Sequence, residues 1–344
     1  MPERSRTREP VDSLRFVTDD AEVSALLTRA ERAVFHGAPA EAVALIEPAL
    51  DRAQQLGASL ETGAARWLLG VALAAAGRYG GALTVLAPLV EAGQDDLGPP
   101  GDRLFAALAA ASVASVHRQL GRHAVARECD LQALELSDGA GEAAFDAELG
   151  LASDAVGLDD AAAAARHLAA AAALVEDAPD DWWRQRVRLA WTRAEVLLLD
   201  GQLDDAVDVA LGAVREAQAA DAPRHVAKGL LIAGLAQVSG GQPSPDAWPD
   251  GLPAGAGEDV EATLFAAASR AEQLGAVPLV WAARALLGAL TGERDFAQGQ
   301  AHLSAARAAV RQIAADLPPG VRAGWLARAD VAALLGEQAD AAAE

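Results

Sequence analysis

The sequence predicts an all-α fold, a solenoid of about eight helical hairpins. Three observations point there. Of the 344 residues, 52% are hydrophobic but only 4% aromatic. The apolar content is therefore mostly alanine, leucine and valine, a mix that favours helix over strand. A short turn phrase recurs along the chain, and the stretches between its copies carry helical periodicity.

The phrase is a glycine, two to four polar residues, and an alanine that opens the next apolar stretch. It begins at Gly37, Gly77, Gly121, Gly157, Gly201, Gly292 and Gly336, with alanine five residues on in all seven. The first five glycines are spaced 40, 44, 36 and 44 apart, and Gly241 follows 40 residues after Gly201. Glycine ends a helix cheaply because it adopts the left-handed conformation. Acidic pairs behind it, such as Asp159-Asp160 and Asp204-Asp205, are expected to cap the following helix. The alanine permits close helix approach. Between turns the pattern is helical: in 187–199, Val187, Ala190, Trp191, Ala194, Leu197 and Leu198 share one face. One hairpin cannot bury such a face alone, whereas stacked neighbours can.

Two segments punctuate the array. Residues 242–257 form a proline- and glycine-rich inserted loop that cannot be helix. It is expected to lack structure and to be the first internal site nicked by protease. Residues 1–18 read as a disordered tail, leaving 19–344 as one superhelical domain.

The turn glycines stand seven residues after a small residue in the first helix of each hairpin: Ala30, Gly70, Ala114, Gly150, Ala194, Gly234, Ala285 and Ala329. In this the chain resembles the tetratricopeptide repeat family. The resemblance implies a right-handed superhelix whose concave face, lined by first helices, binds protein or peptide segments. Alanine-arginine-leucine hairpins of this kind also resemble the C-terminal superhelical domains of large actinobacterial transcription regulators, an analogy of fold only.

Charge and motifs narrow the function. With 49 acidic and 28 basic residues the net charge is −21, which repels phosphate backbones and excludes direct nucleic-acid binding. The same field favours partners with basic or neutral segments. A single cysteine, Cys129, allows no internal disulfide. No apolar run is long enough for a membrane span and no signal peptide is evident, so a cytoplasmic protein is expected. No phosphate-loop, dinucleotide, zinc-protease or nucleophile-elbow motif occurs, so neither enzyme, cofactor nor metal is expected. The residues leave the oligomeric state open, a homo-oligomer included.

By the glycine register, the large or basic groove residues are Trp67, Arg118, Arg188, Trp191 and Lys228, with Gln119, Glu195 and Leu231 beside them. Arg188 and Lys228 are expected to be surface charges whose removal hardly alters stability. Trp182, Trp183 and Trp248 are candidate exposed anchors, since tryptophan is enriched at binding hot spots. The family's carboxylate clamp pairs lysine with asparagine, and this chain has no asparagine. The function expected is a non-catalytic protein- or peptide-binding adaptor. The alternative is a regulatory sensor that takes a small molecule or signalling peptide in its groove.

Overall fold

The computed structural model describes residues 21–93, 100–176, 178–179, 181–244, 247–252 and 259–336. The expected tail, 1–18, lies outside them. The described residues form sixteen helices and no strand. They pair in order as α1 (Ala21–His36) with α2 (Pro39–Leu56), α3 (Ser59–Ala75) with α4 (Tyr79–Ala92), and α5 (Pro100–Gln119) with α6 (His123–Leu136). Next come α7 (Gly141–Gly157) with α8 (Ala161–Glu176), α9 (Trp183–Leu199) with α10 (Leu203–Ala219), and α11 (Pro223–Val238) with α12 (Val260–Leu274). The last pairs are α13 (Val277–Gly292) with α14 (Phe296–Asp316), and two short helices, α15 (Pro319–Leu326) and α16 (Ala329–Leu335). Each of α1 to α14 packs on its sequence neighbour, and odd helices also touch the next odd helix from α1 through α13. Odd helices therefore line one wall of the solenoid. No described helix is long and apolar enough to cross a membrane.

The turns show how the sequence sets this pattern. Gly77, Gly121 and Gly201 adopt φ of 74–76°. At each, two backbone bonds close the preceding helix, as Arg78 N to Leu73 O (2.8 Å) and Gly77 N to Ala74 O (3.0 Å) show. The alanines five residues on, Ala82, Ala126 and Ala206, are 0% exposed. Two hairpins depart from the expected register. In the fourth, Gly157 stays within α7 and Asp159 takes the left-handed conformation (φ 60°), which aspartate tolerates. The buried alanine is then Ala164, and Ala162 is exposed. In the seventh, Asp295 caps α14 through the Gln298 amide (3.0 Å), Gly299 is buried and Ala297 exposed. Capping by acidic pairs is also selective. Asp160 accepts from Ala163 N at 2.9 Å, whereas Asp204 lies inside α10 and serves the inserted loop.

Of that loop, 245–246 and 253–257 lie outside the described residues. The described parts, 241–244 and 247–252, have no helix and are strapped along α10. Asp204 accepts from Gln242 N (2.7 Å), Asp208 from Ser244 N (2.8 Å), and Gln218 donates to Asp250 O (3.1 Å).

The array also coils back on itself with an offset of five hairpins. His36, ending α1, bonds Ala220 O at 2.9 Å. Asp316, ending α14, accepts from Gly81 N at 3.1 Å. Arg328, before α16, donates to Gln119 O at 2.9 Å. Ile313, Trp325 and Val331 consequently share one core with Leu68, Tyr79 and Leu86. Glycine is required at this seam. A Cβ on Gly80 would lie 2.0 Å from the Asp316 carbonyl oxygen, a backbone atom with no room to yield. Gly80→Ala is expected to lower stability by about 1–3 kcal/mol. A denaturant titration showing no change would mean the seam is not closed in solution.

Candidate binding groove

The odd helices α5, α7, α9 and α11 present one stripe each to the inner wall. Ser115, Arg118 and Gln119 come from α5; Asp146, Gly150 and Ser153 from α7; Arg188, Trp191, Thr192 and Glu195 from α9; Lys228 from α11. The spacings i, i+3, i+4 and i+7 put each set on one helix face. Together they enclose a cavity of about 360 Å³. Another depression of about 380 Å³ lies among α2 to α5, where Arg66 is the one charged lining residue among the described residues. Convergent polar groups mark binding sites better than volume does, and they favour the inner cavity.

Its two arginines are paired with acids of other helices. Arg118 donates to Asp154 Oδ1 at 2.9 Å and is also bonded to Asp130. Both acids are 0% exposed. Gly150 makes room for the Asp130 carboxyl, which a Cβ there would meet at 2.2 Å. His123 Nδ1 lies 3.3 Å from Asp154. Arg188 pairs with Asp146. Burial pushes the Asp130 carboxyl well above the usual carboxylate range, against the pull of Arg118. Burial raises Asp146 likewise, against Arg188. For Arg118 burial acts downward, but Asp130 and Asp154 outweigh it and hold the guanidinium charged. Lys228 lies over the Trp191 ring at 4.7 Å. Burial lowers its proton affinity, with Glu195 acting the other way.

Arg118, Arg188, Trp191 and Lys228 thus come together as the register implies, with Gln119 and Glu195. Leu231 packs partly buried on the core beside them. Trp67 does not join them. It is 2% exposed, between Phe35 (6.3 Å) and Phe105 (6.4 Å), and donates to Ser112 Oγ at 3.2 Å. Arg188 is not a free surface charge, because buried Asp146 depends on it. Nor do the three other tryptophans stand out as exposed anchors. Trp182 packs edge-on against Phe145 (6.3 Å). Trp183 lies 5.1 Å from both His36 and His225, inside the seam between the first and sixth hairpins. Trp248 packs partly buried on the core of α9 to α13.

The sequence reading missed Asp146. It stands thirteen residues before Asp159, as Arg188 stands thirteen before Gly201. Counting from Gly157 hid the equivalence. It also missed His225, 3% exposed and stacked on Trp191 at 5.3 Å and 19°. Burial, then Arg224, Arg184 and Arg188, hold this imidazole well below the ordinary histidine range. A folded-state value below the unfolded one means the unfolded chain gains a proton first as pH falls. Stability is therefore lost below about pH 6.5. Replacing His225 by phenylalanine keeps the ring and is expected to flatten the fall in melting temperature between pH 7.5 and 5.5. An unchanged slope would assign that fall to other groups.

No protein-family model matches the chain, and neither does any curated protein. Among solved structures it is similar to a Rap protein crystallised in complex with competence and sporulation factor. The two share 12% identity with a TM-score of 0.56, over 92% of this chain and 89% of the other. A likeness at that identity is one of fold. The chain carries a tetratricopeptide-like helical-repeat fold, an all-α solenoid.

Proposed function

We propose that this protein is a non-catalytic regulatory scaffold that binds a protein or peptide segment in its concave groove. The observation that carries this reading is the cavity among α5, α7, α9 and α11, which charges of both signs line beside the Trp191 ring. Peptide main chains and side chains need such a mixture of donors, acceptors and apolar area. Among the described residues, three metal-binding side chains converge nowhere. The structural neighbour was crystallised with competence and sporulation factor bound, which supports a binding role on the same architecture. The net charge of −21 favours partners whose segments are basic or neutral overall. The same geometry suits the sensor form of this role, in which the bound segment is a signal.

Ser115→Trp tests the reading. Ser115 is an exposed residue of α5 lining the cavity, so a bulky ring there fills the groove without disturbing the core. The tagged protein and this variant are used to capture partners from the host, identified by mass spectrometry. A partner retained by the parent and lost by the variant is expected. Equal retention by both would overturn groove binding.

A further inference from the structure

Buried donors without acceptors gather at the seam between the first and sixth hairpins, where α1, α9 and α11 meet. Arg224 and His225 stand in the first turn of α11, behind Pro223. Arg224 Nε and His225 Nδ1 are both buried without a hydrogen-bond partner. His225 is only 3% exposed. Arg224 makes one long bond, 3.4 Å, to the Val34 carbonyl of α1. Trp183 of α9 reaches into the seam, its ring 5.1 Å from both His225 and His36. Trp191 stacks on the His225 imidazole at 5.3 Å. Folded proteins leave few buried donors unmatched, and a bound water or ion is the usual reason where they do.

Charge decides between water and ion. Arg224, Arg184 and Arg188 all act on His225, and so does His36. Two of the three guanidinium groups are balanced: Arg188 pairs with Asp146 and Arg184 with Glu142. Glu31 of α1 also acts on Arg184, and burial raises its carboxyl. Arg224 has no ion-pair partner among the described residues. Burial and then Arg188 bring it down to about 10. A water would accept from the two donors but leave this charge buried and opposed by its neighbours. A monoanion answers both needs, whereas a dianion would exceed the one unbalanced charge. The rings of Trp183 and Trp191 that flank the imidazole favour a compact ion.

We propose that a compact monoanion of the chloride type binds where α1, α9 and α11 meet, accepting from Arg224 Nε and His225 Nδ1–H, and that it closes the seam between the first and sixth hairpins. Neither Arg224 nor His225 lines the groove cavity, so the site does not rest on what the groove binds. Its effect falls on α1. Arg224 reaches the Val34 carbonyl there, and Arg184 lies over the Phe35 ring at 4.5 Å. An anion beside Arg224 lets both cations stay at the same helix.

The test melts the full chain in sodium chloride and in sodium gluconate at equal ionic strength, so that general screening is the same. Chloride is expected to raise the melting temperature by about 2 °C or more between about 10 and about 500 mM, as a ligand of the folded state alone does. Arg224→Met keeps the apolar stem and removes the charge and the donor. It is expected to abolish the difference between the two salts. In gluconate it is expected to melt no lower than the parent, because an unpaired buried charge is gone. Amide exchange of residues 33–36 and 222–226 is expected to slow in chloride, in the parent and not in the variant. A bromide-soaked crystal is expected to show an anomalous peak within hydrogen-bond reach of Arg224 Nε. Melting indifferent to the anion would overturn the proposal, as would an equal chloride effect in parent and variant. Bromide peaks confined to the outer surface would overturn it too, and they decide the matter if Arg224→Met does not fold. Fast exchange at 33–36 in both salts would overturn it in favour of a seam that opens at this end and hydrates the donors.

Discussion

Trp67→Ala is expected to destabilise the protein by about 3–5 kcal/mol, the usual cost of truncating a buried tryptophan. The ring is 2% exposed and links three hairpins, with Phe35 of the first on one side and Phe105 of the third on the other. Its truncation leaves a void that backbone helices cannot close. It also removes the bond its Nε1–H gives to the Ser112 hydroxyl, which keeps its own to Leu108 O. Urea unfolding at unchanged slope should show the loss as a lower midpoint. A loss below about 1 kcal/mol would mean the ring is mobile or solvated, and the core assignment of α3 would be wrong. Trp67→Phe should recover most of the stability, because Phe35 and Phe105 keep an aromatic partner.

Arg118→Ala is the second large effect, also about 3–5 kcal/mol, the range for breaking a buried ion pair by removing one partner. The guanidinium side chain is 17% exposed, while Asp154 and Asp130 are almost wholly buried. Without it the two carboxyls face each other, with His123 Nδ1 3.3 Å from Asp154. The pH dependence gives a second readout. Asp130 is already raised by burial, and removing Arg118 raises it further. For an acid whose folded value exceeds its unfolded one, stability falls as pH rises through that interval. The deficit of the variant should therefore shrink between pH 7 and pH 5. Adding Asp154→Asn, which removes one charge of the pair, should restore part of the loss at pH 7. A deficit independent of pH would show that packing rather than charge is what Arg118 supplies.

These two residues show how far the groove was legible in the sequence. Trp67 and Trp191 both stand ten residues before a turn glycine, so the register places them alike. In the fifth hairpin that position lines the cavity, as do Ala111 and Leu149 ten residues before Gly121 and Asp159. In the second hairpin it is filled in by aromatic rings from both neighbours. Periodicity tells which way a side chain points, but not whether side chains of other repeats fill the space before it. The helices and most turns were legible because glycine C-caps and apolar stripes are local signals. The slip at Asp159 arose because aspartate can take the turn conformation in place of a nearby glycine, whereas in the seventh hairpin Asp295, extended at φ −133°, starts α14 as its cap. The seam joining hairpins one and six, two and seven, and three and eight has no local signature. Trp183 and His36 meet across it while standing far apart in the chain. What holds the described part of the inserted loop was hidden for the same reason: its prolines report the absence of helix, while the acids that hold it belong to α10.

The central claim is that the partner occupies the concave wall of α5 to α11. Site-specific photo-crosslinking tests it most directly, with a benzophenone side chain at Gln119, exposed on the cavity wall, or at Arg127, exposed on α6. The account predicts that a captured partner crosslinks from position 119, that Ser115→Trp abolishes the crosslink, and that position 127 yields none. A partner that crosslinks from position 127 and not from 119 would contradict it.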